Sequence, residues 1–188
     1  MSRREELLAD LARYEAADAG DAAQLARVRG LLETAPDPFT RTVPEHVTAS
    51  AVVARPAGDS FLFVHHRRLE RWLQPGGHVE PEDGSAFEAA LREAREETGV
   101  LSLEAPFGPR ILDLDVHPVP AKGGKPAHVH YDLRYLATTL EEGSAGATAE
   151  VRAVRWFPYE EALASAADES LARVLRKARA WLLARNPG

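Results

Sequence analysis

The spacing of apolar positions changes several times along the chain, and each change marks an element. Over residues 3–16, Leu7, Leu8, Leu11 and Tyr14 recur at three-to-four spacing, which predicts an amphipathic helix. "AADAGD" interrupts it, and Leu25, Val28, Leu31 and Leu32 repeat the spacing over 21–34. Residues 1–40 therefore read as a helical hairpin, closed by the proline-punctuated linker "ETAPDPFTRTVPEH". A soft boundary near residue 40 separates it from a second unit, 41–188.

In that unit strand-like runs appear, and over 110–117 and 127–139 apolar and polar residues alternate. "VTASAVVA" (47–54) and "SFLFVHH" (60–66) are strand-like runs joined by the turn "RPAGD". "RLERWLQPGGHVEPEDG" reads as a long loop with strand-like ends. A helix is predicted over 85–98 and strands over 110–117, 127–139 and 149–157. "YEEALASA" and "DESLARVLRKARAWLLAR" close the chain as helices, and "PVPAKGGKP" reads as a flexible turn. The order predicts a mixed α/β (α+β) sandwich around one sheet, preceded by the helical hairpin.

Composition narrows the partners. The 188 residues are 45% hydrophobic and 28% charged, a globular balance. The net charge of −6, without a basic stripe, argues against duplex nucleic acid as a partner. The absence of cysteine excludes disulfides and thiolate metal sites. There is no 18-residue apolar run to cross a membrane. The charged N-terminus lacks the apolar core of a signal peptide, so a cytoplasmic location is expected.

The predicted helix 85–98 carries the chemistry. Ser85 followed by Glu88 fits a capping box, and Gly99 fits a C-cap. Phe87, Ala90, Leu91, Ala94 and Thr98 fall on one side. Glu93, Glu96 and Glu97 share another arc, with only the small Ala89 beside them. Like charges at this spacing repel. A hard divalent cation, Mg²⁺ or Mn²⁺, would offset that repulsion, whereas a plain solvated face is the alternative reading of the helix taken alone. "QPGGHVEP" precedes the helix, and its glycines allow close backbone approach.

"GGHVEPEDGSAFEAALREAREETGV" resembles the signature box of the Nudix hydrolases, G-x5-E-x7-R-E-U-x-E-E-x-G-U with U a bulky apolar residue. Gly77, Arg92, Glu93, Glu96, Glu97, Gly99 and Val100 match, with Ala94 small for its place. Fourteen residues separate Gly77 from Arg92, one more than in the pattern. The first glutamate position falls on Asp83 counted from Gly77, or on Gly84 counted back from Arg92. That glutamate is therefore either replaced by Asp83 or lost. The resemblance implies an α/β/α sandwich and hydrolysis of the pyrophosphate bond of a nucleoside diphosphate linked to another group X. It implies Mg²⁺ or Mn²⁺ on Glu93, Glu96, Glu97 and the Gly77 carbonyl, with Glu93 the favoured base and Arg92 orienting a glutamate. Further family enzymes add an acidic residue from outside the box. Glu150 is the candidate here, with Glu141 and Glu142 as alternatives.

Alternation adds a polar face. His128, His130, Asp132 and Arg134 share one side of their strand, and Asp113, Asp115 and His117 share one side of theirs. These faces are expected to line the pyrophosphate cleft, with His117, His128 and His130 contacting substrate. Arg68 and His78 are candidate phosphate contacts, and Trp72 reads as packing or as a base-stacking surface. Two rival functions are kept. One is a non-catalytic Nudix-fold nucleotide-binding or regulatory domain, and the other is a zinc hydrolase on His117, His128 and His130. The hairpin has three open roles: capping the pocket, forming a homodimer interface, or packing on its own domain.

Overall fold

The computed structural model describes residues 2–42, 44–121, 124, 126–144 and 149–185. The expected flexible turn over 118–126 lies partly outside them, at Lys122, Gly123 and Lys125. The elements in chain order are α1 (Arg3–Ala12), α2 (Ala19–Thr34), β1 (Glu45–Ala54), β2 (Ser60–His66), β3 (Arg71–Leu73), β4 (Gly76–His78) and α3 (Ala86–Thr98). β5 (Ile111–Val119), β6 (His128–Thr138), β7 (Val151–Pro158), α4 (Tyr159–Ala164) and α5 (Glu169–Arg185) follow. The expected long loop before the helix holds β3 and β4, because its two ends pair with β2 and β1.

The sheet runs β3-β2-β1-β6-β5, with β4 also paired to β1 and β7 to β2. β1 and β6 are parallel and the other pairs antiparallel. β1 is buried from His46 to Ala54, as its near-continuous small and branched sequence requires of a strand covered on both faces. Its odd residues, Val47, Ala49, Ala51 and Val53, pack with α1, α2 and α3. Val52 and Ala54 pack on the other side with Leu171, Val174, Leu175, Ala178 and Leu182 of α5. The result is a helix–sheet–helix sandwich with two cores.

The hairpin belongs to the first core. Leu7, Leu11, Val28, Leu31 and Leu32 are all buried there. Each such side chain contributes about 1.5–3 kcal/mol before ordering costs, enough to hold two short helices on the sheet. Side chains of α2 also satisfy the edge strand β5, where Gln24 accepts from the Val116 N–H (3.2 Å) and Arg27 donates to the Val116 carbonyl (3.2 Å). An exposed edge is thereby covered. Lys177 of α5 donates to Asp21 of α2 (2.8 Å) and Asp113 of β5 (2.6 Å), so the hairpin is tied to the far helix around that edge. Among the described residues, no helix is long and apolar enough to cross a membrane.

Candidate active site

Local sequence sets α3. Ser85 caps it by accepting from the Glu88 N–H at 3.1 Å. The Glu88 carboxylate turns back one residue further than a standard box and accepts from the Gly84 N–H at 3.0 Å. Gly99 ends the helix at φ 65°, a left-handed conformation that favours glycine. The carboxylates are not equally wet. Glu96 is half exposed, the Glu93 side chain is 16% exposed and Glu97 is only 5% exposed. Ala89, the small residue of the acidic arc, is fully buried, so that arc is covered at Ala89 and Glu97 and open to solvent at Glu96.

The glycine pair explains how β4 fits there. A Cβ on Gly77 would lie 2.5 Å from Glu93 Oε1, and one on Gly76 would lie 2.4 Å from the Ser50 Cβ. The Gly76 N–H donates to Glu97 Oε2 at 3.1 Å. Burial pushes the Glu97 carboxyl up to about 8 against that hydrogen bond, and the negative charges of Glu93, Glu150 and Glu96 add to the rise. Burial likewise raises Glu93, while Arg92 opposes. Two buried carboxyls that resist ionisation side by side offer hard oxygen ligands and fit a hard divalent cation.

Asp83, one of the two positions on which the box's first glutamate falls, is engaged by Arg92. Arg92 donates to it twice, from Nε and Nη2, both at 2.9 Å, and Asp83 also accepts from the Glu80 N–H at 2.8 Å. Burial works against Asp83 ionising, but Arg92 and the Glu80 N–H outweigh it and hold the carboxyl below its ordinary range. Arg92 then reaches the His78 carbonyl (3.0 Å), Glu93 (3.0 Å) and Glu96 (3.3 Å). Its fork is a bracket between β4, the preceding loop and α3.

Among the outlying acids, Glu150 is the one whose charge acts on Glu97. Its carboxylate is 3.9 Å from His66 Nε2 and raises Glu97 through like charge. Glu141 is engaged in accepting from the Leu101 (2.8 Å) and Ser102 (3.0 Å) N–H groups, and Glu142 pairs with Arg55 at 2.6 Å. Arg68 is exposed in the turn after β2, its N–H on His66 Nδ1. Trp72 packs edge-on against Phe157 and His65 in the second core.

The expectation that the polar strand faces line the pyrophosphate cleft does not hold. Gly77 points at Glu93, so His78, its neighbour in the strand, points to the opposite face of β4. There its ring stacks on His46 at 5.2 Å, and His117, His128 and His130 join the same face. The acidic half of that face is structural. Arg134 is buried among Asp132 (3.2 Å), Asp115 (3.0 Å) and Asp113 (3.4 Å) and donates to Ser170 of α5, while Thr48 and Ser50 donate to Asp132. His46 lies in β1, one residue before the strand expected at 47–54. Its signal was the alternation His46, Thr48, Ser50.

The NUDIX domain family model matches residues 44–178. The chain belongs to the NUDIX domain family. Solved structures share the fold. A C. elegans Ap4A hydrolase in a binary complex superposes with TM-score 0.55 at 23% identity, covering 73% of this chain and 98% of that one. The NUDIX domain of Shewanella oneidensis NrtR complexed with ADP ribose gives 0.54 at 21%, covering 72% and 87%. The E. coli dihydroneopterin triphosphate pyrophosphohydrolase gives 0.53 at 18%, covering 70% and 92%. No curated protein matches the chain in sequence.

Proposed function

We propose that the chain hydrolyses the phosphoanhydride of a nucleoside diphosphate linked to a further group X, with Mg²⁺ or Mn²⁺ held by Glu93, Glu96, Glu97 and the Gly77 carbonyl. The observation that carries this reading is the buried Glu97 beside Glu93, two carboxyls whose ionisation burial opposes and a bound cation would favour. Bound there, the ion supplies charge neutralisation for the diphosphate and lowers the pKa of water. Glu93 takes the proton of the attacking water. Arg92, fixed by Asp83 and the His78 carbonyl, positions Glu93 and Glu96. Arg68 contacts the substrate phosphates, and Glu150 adds a carboxylate on the His66 side. Ap4A, dihydroneopterin triphosphate and ADP ribose, the compounds named for three relatives, all contain the phosphoanhydride this reading requires.

The test is phosphate release, coupled to pyrophosphatase and phosphatase, across dinucleoside polyphosphates, ADP-ribose, nucleotide sugars and nucleoside triphosphates. Wild type is expected to turn over one class with Mg²⁺ or Mn²⁺, and Glu97→Gln to lose that activity. Wild type that binds metal and nucleotide yet cleaves none of them would instead establish a binding domain.

A further inference from the structure

We propose that His46, His78 and His130 form a second metal site, for Zn²⁺, on the face of β4 opposite Glu93. One ligand nitrogen from each of the three lies within 4.8 Å of the other two. They come from three strands. His46 pairs with His130 in the parallel register of β1 and β6, and His78 of β4 pairs with Thr48, two residues along β1 on the same face. The ring centroids are 5.0 Å apart for His46 and His130, 5.2 Å for His46 and His78, and 5.6 Å for His78 and His130.

The chemistry selects the ion. Three imidazoles offer nitrogen lone pairs and no negative charge, which suits zinc-class transition metals and not Mg²⁺ or Ca²⁺. Tetrahedral zinc, at about 2.0–2.1 Å per nitrogen, holds ligand nitrogens roughly 3.3 Å apart. The three nitrogens, within 4.8 Å of one another, stand about 1.5 Å or less beyond that spacing. Three protein ligands leave the fourth position for water or another donor.

The surroundings are those of an outer shell. His128 donates from Nδ1 to the Pro126 carbonyl (3.0 Å), which directs its Nε2 lone pair to His130 Nε2 at 3.1 Å. His117, paired across the ladder with His130, is held by Asp115 at 2.8 Å. The His78 carbonyl meanwhile receives Arg92, so an ion on the His78 ring also steadies the β4 segment that carries Gly77. The set differs from His117, His128 and His130, the trio suggested by sequence, because strand register brings His46 and His78 to His130 while Asp115 and Pro126 engage the other two.

The experiment is Zn²⁺ titration of the chelator-stripped full chain against a chromophoric competitor, for wild type, His78→Ala and Glu97→Gln. One tight equivalent is expected in wild type and in Glu97→Gln, weakened more than about 100-fold in His78→Ala. Circular dichroism without metal checks that the variants fold. Independently of any variant, long-range proton–nitrogen spectra of wild type should show the ring nitrogens of His46, His78 and His130 moving on Zn²⁺ addition while those of His65 and His66 stay. Zinc lost in Glu97→Gln but kept in His78→Ala, or histidine nitrogens that do not move, would overturn the site.

Discussion

Replacing Glu97 by Gln should stabilise the metal-free protein while destroying its metal site. Glu97 has a folded-state pKa raised from 4.5 to about 8, chiefly by burial. Between those values the folded chain keeps a proton that the unfolded chain has released. Stability from this group is therefore complete below about pH 4.5, declines as pH rises, and levels off above about 8. At about 1.4 kcal/mol per pKa unit, the loss relative to a neutral side chain of the same shape is under about 1 kcal/mol at pH 5 and roughly 3 kcal/mol at pH 7. Glutamine keeps an oxygen to accept from the Gly76 N–H, so the shape is preserved. In chelator at pH 7, Glu97→Gln should melt up to roughly 6–12 °C above wild type, at about 2–4 °C per kcal/mol for a chain this long. Adding Mg²⁺ to about 100-fold over its Kd should stabilise wild type alone, by about 2.7 kcal/mol, and nearly close the gap. Thermal melts at pH 5, 7 and 8.5, with and without Mg²⁺, measure all of this. A variant less stable than wild type in chelator, or a gap that does not grow with pH, would refute the burial argument.

The two adjacent glycines should fail differently. Gly76→Ala sets a Cβ against the backbone of Ser50 and Ala49 and should cost about 3 kcal/mol in urea unfolding, whereas Gly77→Ala meets the movable end of Glu93 and should leave the fold intact while lowering kcat/KM about 100-fold. Asp83→Asn keeps one acceptor for Arg92 but loses the charge, and should lower kcat/KM about tenfold, read in the same phosphate-release assay. Arg134→Met leaves three buried aspartates short of a partner and should destabilise by about 3–5 kcal/mol in urea, with the α3 carboxylates undisturbed.

The sequence alone was sufficient for whatever depends on neighbours a few residues apart. α3 was legible from Ser85, Glu88 and Gly99, and its carboxylates from their spacing, because capping and helical periodicity act within a turn or two. β5 and β6 were legible from period-two alternation, β1, β2 and β7 as strand-like runs, and the hairpin from its two apolar stripes, while β3 and β4 lay within a stretch read as a loop with strand-like ends. Tertiary structure decided what depends on distant segments meeting. Spacing could not choose between Asp83 and Gly84, and it could not show that the Arg92 fork reaches Asp83. Spacing made Glu93, Glu96 and Glu97 equivalent, and packing against β4 buried Glu97 and left Glu96 wet. Alternation placed the histidines on one side of a strand without saying which side of the sheet that was. A one-residue change of register turns a strand's side chains to the other face. The pairing of His46 with His130, and of Thr48 with His78, is what gathered imidazoles from three strands behind the carboxylates rather than among them.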